Sequence, residues 1–306
     1  MIHQSVLLNE VLAQAERLTK SGARFWDGTL GAGGHCSALA TKYPNAQGYA
    51  SDTDDEMLRL ASASLAGRAI QIKHANFSEN PFAGVGKFDF ILLDLGISSA
   101  HFDVFERGFS YRYDQPLDMR LDTENQNTAA DILNNQSERE ISTILFRFGE
   151  ERRSRQIAAR IVAERKKQPI LRTGQLVEIC KYCYPLKSRG QGHADRHPYV
   201  RTFQALRIAV NAELESLEQA LAFLPDLLTV DGKLCIITFH SLEDRLVKQA
   251  FRGREQIKNT DPLAKSHFVR GNFVAEPSKG IVPSPEEIQH NSRARSARMR
   301  VLRRLA

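Results

Sequence analysis

The segment DGTLGAGGH (27–35) separates a short apolar run, Phe25-Trp26, from a stretch with helical periodicity that begins near His35. Glycine has no Cβ, so it allows the backbone to turn sharply and a ligand to approach closely. A helix that starts directly after such a loop presents free backbone N–H groups to the space beside it. The segment therefore predicts a strand, a glycine-rich loop and a helix, with either a ligand site or a purely structural turn between them.

The segments around this loop alternate between strand-like and helix-like patterns. FDFILLDL (88–95) is almost continuously apolar, as expected of a parallel strand that is buried on both faces. Alternating strands and helices predict a parallel sheet covered by helices. The predicted strands are Phe25–Trp26, Gly48–Ala50, Ala69–Ile72, Phe88–Leu95, Lys233–Phe239 and Ala297–Leu302, and the predicted helices beside them are Ser37–Tyr43, Asp54–Leu65 and Leu242–Phe251.

The alternation stops after Gly96. Residues 97–125 have the composition of an ordered loop, and residues 128–183 show only helical patterns, beginning with the capping signal Thr128-Ala-Ala-Asp131. One long helix is predicted from Val200 to Leu224, because its apolar residues recur at three- and four-residue spacing. Residues 252–290 show no clear period and are predicted to form a long loop.

These patterns together predict an α/β fold whose mostly parallel, Rossmann-like sheet is interrupted by a helical insertion. We expect residues 1–104 and 206–306 to form one discontinuous domain and residues 105–205 to form the inserted one. The insertion follows the carboxyl end of a strand, which is where open α/β sheets bind ligands. It is therefore expected to recognise the substrate.

Polar or aromatic residues stand where each of the first strands ends. Asp52 lies at the end of the strand after Asp27, where a carboxylate can accept both ribose hydroxyls of a nucleoside, although it could instead cap the next helix. Phe77 could lie against an adenine ring or in the core, and Asp94 would project into the same cleft. The dinucleotide fingerprint fails, because its third glycine is replaced by Cys36. Methyl donors carry no pyrophosphate, so the loop suits S-adenosylmethionine better.

The charge of the chain is unevenly placed. Its 306 residues have a formal net charge of +6, and the excess is concentrated at Arg147–Lys167 and Ser292–Ala306, of which the second contains no acidic residue. Each segment alone could be a solvated surface. Both together favour a surface that binds phosphates, although phosphates do not distinguish RNA from DNA.

Composition also bears on the cellular compartment. The chain has four cysteines, no secretion signal and no apolar run near the roughly 18 residues of a membrane span. We therefore expect a cytoplasmic protein without membrane contact. Cys180-x-x-Cys183 followed by His193 and His197 is similar to a zinc motif, but the intervening gap is short, so no metal is predicted.

Long ordered stretches of the chain resemble one known family, the bacterial 16S rRNA (cytosine-N4)-methyltransferases. They cover nearly the whole chain apart from residues 252–290. The matching stretches are DGTLGAGGH (27–35), FDFILLDLGISS (88–99), ERGFSYRYDQPLDMRLD (106–122), FGEERRSRQIA (148–158), RTFQALRIAVNAELE (201–215), ITFHSLEDRLVK (237–248) and NSRARSARMRV (291–301).

The resemblance implies a class I methyltransferase fold, S-adenosylmethionine as the cofactor, and 16S rRNA or the small ribosomal subunit as the partner, and it leaves a homodimer open. It also implies a set of donor contacts, in which a histidine stands where the family has a glutamine (His101). These contacts are Gly33, Gly34, His35, Asp52, Phe77, Asp94 and His101.

The implied reaction is methyl transfer from the sulfonium of the donor to the N4 amino group of a cytidine. That amine is a poor nucleophile, so positioning must supply much of the rate. We expect Asp94, Ser98 and Ser99 to position the amine, and we assign no general base. The predicted substrate contacts are Arg107, Phe109, Asp118 and Arg120 in the loop before the insertion, His240 and Ser241 after the fifth strand, and Arg293, Arg295 and Arg298 near the end of the chain.

Alternatives stay open for several of these residues and for the activity. The loop of Arg107 and Arg120 could owe its composition to internal ion pairs, and Ser241 could be only a helix cap. The protein could also be a non-catalytic RNA-binding or ribosome-assembly factor that keeps a vestigial donor fold. A methyltransferase for another nucleic acid or for protein is the nearer alternative.

Overall fold

The structure, a computed structural model, describes residues 5–97, 106–184, 199–258 and 268–306. Contacts between residues divide the chain into two units. The first comprises Met1–Gly96 and Leu214–Ala306, and the second is Ile97–Glu213. The predicted boundaries at 104/105 and 205/206 both lie inside the second unit.

The strands of the first unit form one large sheet and one small one. They are β1 (Arg24–Asp27), β2 (Gln47–Asp52), β3 (Ile70–His74), β4 (Phe88–Asp94), β5 (Leu228–Thr238), β6 (Gln256–Lys258), β7 (Phe268–Arg270), β8 (Phe273–Ala275) and β9 (Arg298–Arg304). The seven-stranded sheet has the order β3-β2-β1-β4-β5-β9-β8, and β6 pairs with β7. Strands β1 to β5 pair in parallel, and β9 is antiparallel to both its neighbours. The strand order reverses between β1 and β4, which makes their carboxyl ends the expected ligand site.

Alternate residues of the central strands enter two different cores. Phe25 of β1 packs in the core on one face of the sheet, and its neighbour Trp26 packs in the core on the other. In β4, Leu92 and Leu93 divide in the same way. Because successive side chains of a strand point to opposite faces, a strand covered on both sides needs a continuous apolar run. This explains the FDFILLDL pattern and confirms the predicted parallel sheet.

The helices surround the sheet in the first unit and form the second unit almost alone. They are α1 (Leu8–Gln14), α2 (Gly34–Lys42), α3 (Asp55–Ser64), α4 (Ala129–Asn135), α5 (Glu138–Gly149), α6 (Ser154–Arg165), α7 (Thr173–Tyr182), α8 (Val200–Asn211), α9 (Glu213–Phe223), α10 (Ser241–Glu255) and α11 (Pro285–His290). The predicted capping box at Thr128 and Asp131 is confirmed at the start of α4. Helices α5 and α8 approach closely, since a Cβ at Gly149 would lie 2.5 Å from the carbonyl oxygen of Arg201.

Two predictions of secondary structure are wrong. The long helix expected from Val200 to Leu224 is two helices, because Ala212 adopts φ 48° and ψ 38° and ends α8. No glycine or proline marks that break, and an ion pair between Arg207 and Glu213 spans it at 2.8 Å. The loop expected over residues 252–290 instead contains the end of α10, three short strands and α11. Strands of three residues are too short to show a period.

Candidate functional site

The glycine loop lies between β1 and α2, as its sequence predicts. The N–H of Gly28 donates to the carbonyl of Leu92 in β4 at 2.9 Å, and a Cβ on Gly28 would clash with the side chain of Leu93. Gly31 and Gly33 have φ angles of +52° and +85°, in the left-handed region that favours glycine. The loop therefore stays close to the sheet and turns back into α2, whose N-terminal N–H groups face the carboxyl edge of the strands.

Asp52, at the end of β2, fixes this loop through its side chain. Its Oδ2 accepts a hydrogen bond from the N–H of Gly31 at 2.7 Å, and its Oδ1 accepts one from the N–H of Asp54 at 3.0 Å. The cap of α3 is Asp54, which accepts from Glu56 and Met57, so the interpretation of Asp52 as the helix cap is wrong.

A buried cluster of Asp27, His35 and Asp94 lies beside the loop. The side chain of Asp27 is 1% exposed, and burial raises its pKa to about 7 against the opposing charge of His35. His35 is 6% exposed, and its Nε2 lies 3.4 Å from Asp94 Oδ2, which makes an ion pair when the imidazole is protonated. Thr29 connects Asp27 with Asp94. Its N–H donates to Asp27 Oδ1 at 3.2 Å, and its Oγ1 accepts the N–H of Asp94 at 2.6 Å.

Several buried polar atoms of this cluster have no hydrogen-bond partner within the described part of the chain. They include Oδ2 of Asp27, Nδ1 of His35 and Oδ1 of Asp94. Buried polar groups of folded proteins are nearly always paired, so several unpaired atoms in one cluster require an explanation. A polar ligand at the carboxyl ends of β1, β2 and β4 would supply it.

The structure brings most of the predicted donor residues to this edge. Gly33 and Gly34 form the turn into α2, and a Cβ on Gly34 would clash with Oγ of Ser5. Phe77 begins a short 3-10 turn after β3 and packs partly against the core, close to Gly28. Three predicted residues lie outside the described residues: Ser98, Ser99 and His101. Asp27 is not among the predicted donor contacts, and the one sequence signal for it is an acid directly after an apolar strand.

His240, at the end of β5, is the N-cap of α10. Its Nδ1 accepts the N–H of Glu243 at 3.4 Å, and Glu243 Oε2 accepts the N–H of Phe239 at 2.7 Å. Ser241 is the first helical residue, so the alternative that it is the cap is wrong. The first residue of this capping box is therefore His240 and not Ser241. Contact of His240 or Ser241 with substrate stays a prediction.

The loop before the insertion is rich in internal contacts. Asp118 and Arg120 form a bidentate ion pair with both distances at 2.8 Å, and these bonds outweigh burial and hold the pKa of Asp118 below its usual value. Arg107 donates to the carbonyls of Arg120 and Leu121. Phe109 is 4% exposed in the core of the second unit. Internal ion pairs therefore account for much of this composition, and contact with a base stays a prediction.

The basic C-terminal segment is only partly a solvated surface, because Arg298–Arg304 form strand β9 of the sheet. Arg300 lies in β9 and forms a bidentate pair with Asp244 at 2.7 and 2.9 Å. Arg298 donates to the carbonyl of Lys279 at 2.6 Å. Arg293 and Arg295 are exposed in the short 3-10 turn before the strand. Binding of RNA by Arg293, Arg295 and Arg298 stays a prediction.

The remaining sequence signals concern metals and membranes. Cys180 is buried in α7, and burial raises the pKa of its thiol to about 12. Cys183 follows the helix, and His193 and His197 lie outside the described residues. Within the described ranges, no helix is long and apolar enough to cross a membrane.

Comparison with known proteins gives concordant matches over the whole chain. The description of the matching family is "MraW methylase family", and the match covers residues 1–305. A Picosynechococcus protein named "Ribosomal RNA small subunit methyltransferase H" is 42% identical over 300 residues, which are 97% of this chain and 95% of that protein. A Nocardioides protein of the same name is 41% identical over 315 residues, 99% of this chain and 96% of its own length.

Proposed function

Because this chain belongs to the MraW methylase family, we propose that it transfers a methyl group from S-adenosylmethionine to the N4 amino group of a cytidine in small-subunit ribosomal RNA. The relatives named as small-subunit rRNA methyltransferases support the choice of substrate. The observation that carries the donor assignment is the meeting of the glycine loop, Asp52 and the Asp27–His35–Asp94 cluster at one edge of the sheet. The protein works where ribosomal subunits assemble, in the cytoplasm.

The residues of this edge suit the donor. Gly33 and Gly34 begin α2, whose N-terminal N–H groups can contact it, and Asp52 offers carboxylate oxygens to the ribose hydroxyls. Phe77 offers a ring face to the adenine, and His35 and Asp94 contribute polar atoms to the amino-acid part. When bound, the donor supplies an electrophilic methyl group on a positively charged sulfur. His101 completes the predicted set.

The substrate amine needs orientation, because its lone pair is delocalised into the cytosine ring. Oδ1 of Asp94 is buried, has no partner in the described part of the chain, and can accept an N–H of that amine. Accepting this bond holds the nitrogen in place and favours the attacking geometry. Ser98 and Ser99 follow Asp94 in sequence and are proposed to contribute further acceptors. The target base must be unpaired or flipped out of its stack to reach this edge.

The test is methyl transfer to small ribosomal subunits from cells that lack the activity. Wild-type protein and radiolabelled donor should place label in N4-methylcytidine, identified after nuclease digestion. Asp52→Ala should reduce labelling by at least about a hundredfold, because it removes the ribose acceptor and frees the glycine loop. Asp55→Ala is the matched control, since this acid lies three residues away, half-exposed and beside His74.

Each outcome has a distinct meaning. Label in another nucleoside would retain the methyltransferase and reject the cytidine assignment. Equal labelling by both variants would reject the role of Asp52. Absence of label on subunits and naked RNA, with no donor bound, would favour a non-catalytic RNA-binding protein. The homodimer stays a prediction, which molar mass from light scattering would test.

A further inference from the structure

Asp27, at the end of β1, has the surroundings of a functional acid rather than of a structural one. It is 1% exposed, and its Oδ2 contacts no hydrogen-bond donor in the described ranges. Its Oδ1 accepts a hydrogen bond from the N–H of Thr29 at 3.2 Å. A carboxyl group that served only packing would have both oxygens paired. The titratable groups that face it are His35 and Cys36 from α2, Asp52 from β2 and Asp94 from β4.

We propose that Asp27 is a positioning residue for the methyl donor, which holds a proton in the donor-free protein and releases it to solvent when the cationic donor binds. The inference rests on the proposed function, because it takes S-adenosylmethionine as the ligand of this edge. It couples binding of the donor to loss of a proton, and it gives a role to Asp27, which is not among the predicted donor contacts.

The charges at this edge explain why the proton is held without the donor. Burial disfavours the carboxylate, and the nearby carboxylates of Asp94 and Asp52 oppose its ionisation further, so that the pKa of Asp27 stands at about 7 even with His35 beside it. The donor-free protein therefore holds this proton below about pH 7 and loses it as the pH rises further. Oδ2 of Asp27, which lacks a partner among the described residues, is the natural place for it.

The charges of the donor explain why the proton leaves. S-adenosylmethionine carries a sulfonium, an ammonium and a carboxylate, hence a net positive charge. A positive charge brought among three carboxyl groups favours their ionised forms and lowers the pKa of Asp27. The ionised side chain then attracts the donor and its neighbour His35 more strongly. Binding is thereby coupled to loss of up to one proton.

The sign of the pH dependence follows by linkage. Below about pH 7 the donor must displace the proton of Asp27, so affinity rises with pH by up to about tenfold per unit. Above that pH the proton is already absent and this contribution levels off. Proton release should approach one per donor at pH 6 and should fall as the pH rises through about 7 to 8.

Isothermal titration calorimetry measures this release directly. Donor is titrated at pH 6, 7 and 8 in pairs of buffers with different ionisation enthalpies, into wild type, Asp27→Asn and Asp89→Asn. Asp27→Asn should release no proton at pH 6 and should bind with an affinity that hardly changes between pH 6 and 7. Asp89 is the matched control, since it is a buried acid of β4 that accepts from Arg24 and Thr229 away from the cluster.

Two further features keep the test decisive. The amino group of the donor titrates near pH 8 itself, so the diagnostic quantity is the difference between wild type and Asp27→Asn. The reaction product, S-adenosylhomocysteine, lacks the sulfonium charge and should release fewer protons from wild type. This comparison and the wild-type pH series remain valid if Asp27→Asn fails to fold by circular dichroism.

The contrary outcomes separate this inference from the proposed function. Donor binding without proton release at pH 6, or with equal release from Asp27→Asn, would overturn the role of Asp27 and leave the methyltransferase standing. Equal release by donor and product would overturn the part played by the sulfonium charge. Absence of donor binding by wild type at every pH would overturn the proposed function and this inference together.

Discussion

Two arginine-rich segments have similar compositions and different structures. In Ser292–Ala306, the side chain of Arg300 is 9% exposed and paired with Asp244, and Arg303 contacts Asp231 and Glu276. In Arg147–Lys167, by contrast, the side chains of Arg152, Arg155 and Lys166 are exposed on or beside helix α6.

The difference comes from the element that carries the charges. Strand β9 lies inside the sheet between β5 and β8, so its alternate residues must enter a packed layer and find acids there. A helix at the surface places most of its charges in water. A count of arginines therefore does not measure the charge available to RNA. The helical segment is the stronger candidate for phosphate contact.

The largest expected effect concerns stability. Arg300→Ala should lower the free energy of unfolding by about 2–3 kcal/mol, because it leaves Asp244 without its bidentate partner. This is below the range for fully buried pairs, since Asp244 is 27% exposed and solvent screens its charge. Arg155→Ala should change the same quantity by at most about 0.5 kcal/mol. Urea unfolding of both variants at pH 7 checks the contrast, and equal losses would remove the distinction between the segments.

The same contrast shows which parts of the fold the sequence could predict. The sheet was predictable because FDFILLDL and the alternation of strands and helices are local patterns, and parallel strands bring their carboxyl ends to one edge. The break between α8 and α9 at Ala212 was not predictable, because no residue type signals it. The pairing of Arg300 with Asp244 joins residues 56 positions apart, which no local pattern reveals.

The candidate site divides in a similar way. Placement of Asp52 and Asp94 at one edge followed from the strand ends alone. The state of Asp27 did not, because its raised pKa depends on burial and on carboxylates from two other strands. The pairing of Asp118 with Arg120 is local, yet the sequence is equally compatible with contact between these residues and a base. The spacing of two residues in the sequence shows that their charged side chains can pair. Whether they pair with each other or contact the substrate depends on the surrounding structure.

An intermediate effect is expected in RNA binding. Replacement of Arg152, Arg155 and Lys166 by alanine should reduce the slope of log K against log salt by up to about 2, since each lost contact with a single strand contributes about 0.7. Replacement of the C-terminal set, Arg293, Arg295 and Arg298, should reduce it less, because the guanidinium of Arg298 already donates to a backbone carbonyl. Salt titrations with a small-subunit rRNA fragment give both slopes. A larger change from the C-terminal set would reverse the assignment of the phosphate surface.

The smallest effect concerns Arg160, which belongs to the exposed segment but is engaged like the arginines of β9. Its guanidinium carbon lies 3.9 Å from the ring centroid of Tyr182, and its Nη2 is 2.7 Å from Glu164. Arg160→Lys keeps the charge and loses the planar stack, so stability should fall by about 0.5 kcal/mol while the salt slope for RNA is unchanged. Arg155→Lys, the control, should alter neither quantity. A changed salt slope in Arg160→Lys would mean that the guanidinium itself contacts RNA. An arginine of α6 that is packed against Tyr182 would then also belong to the phosphate surface.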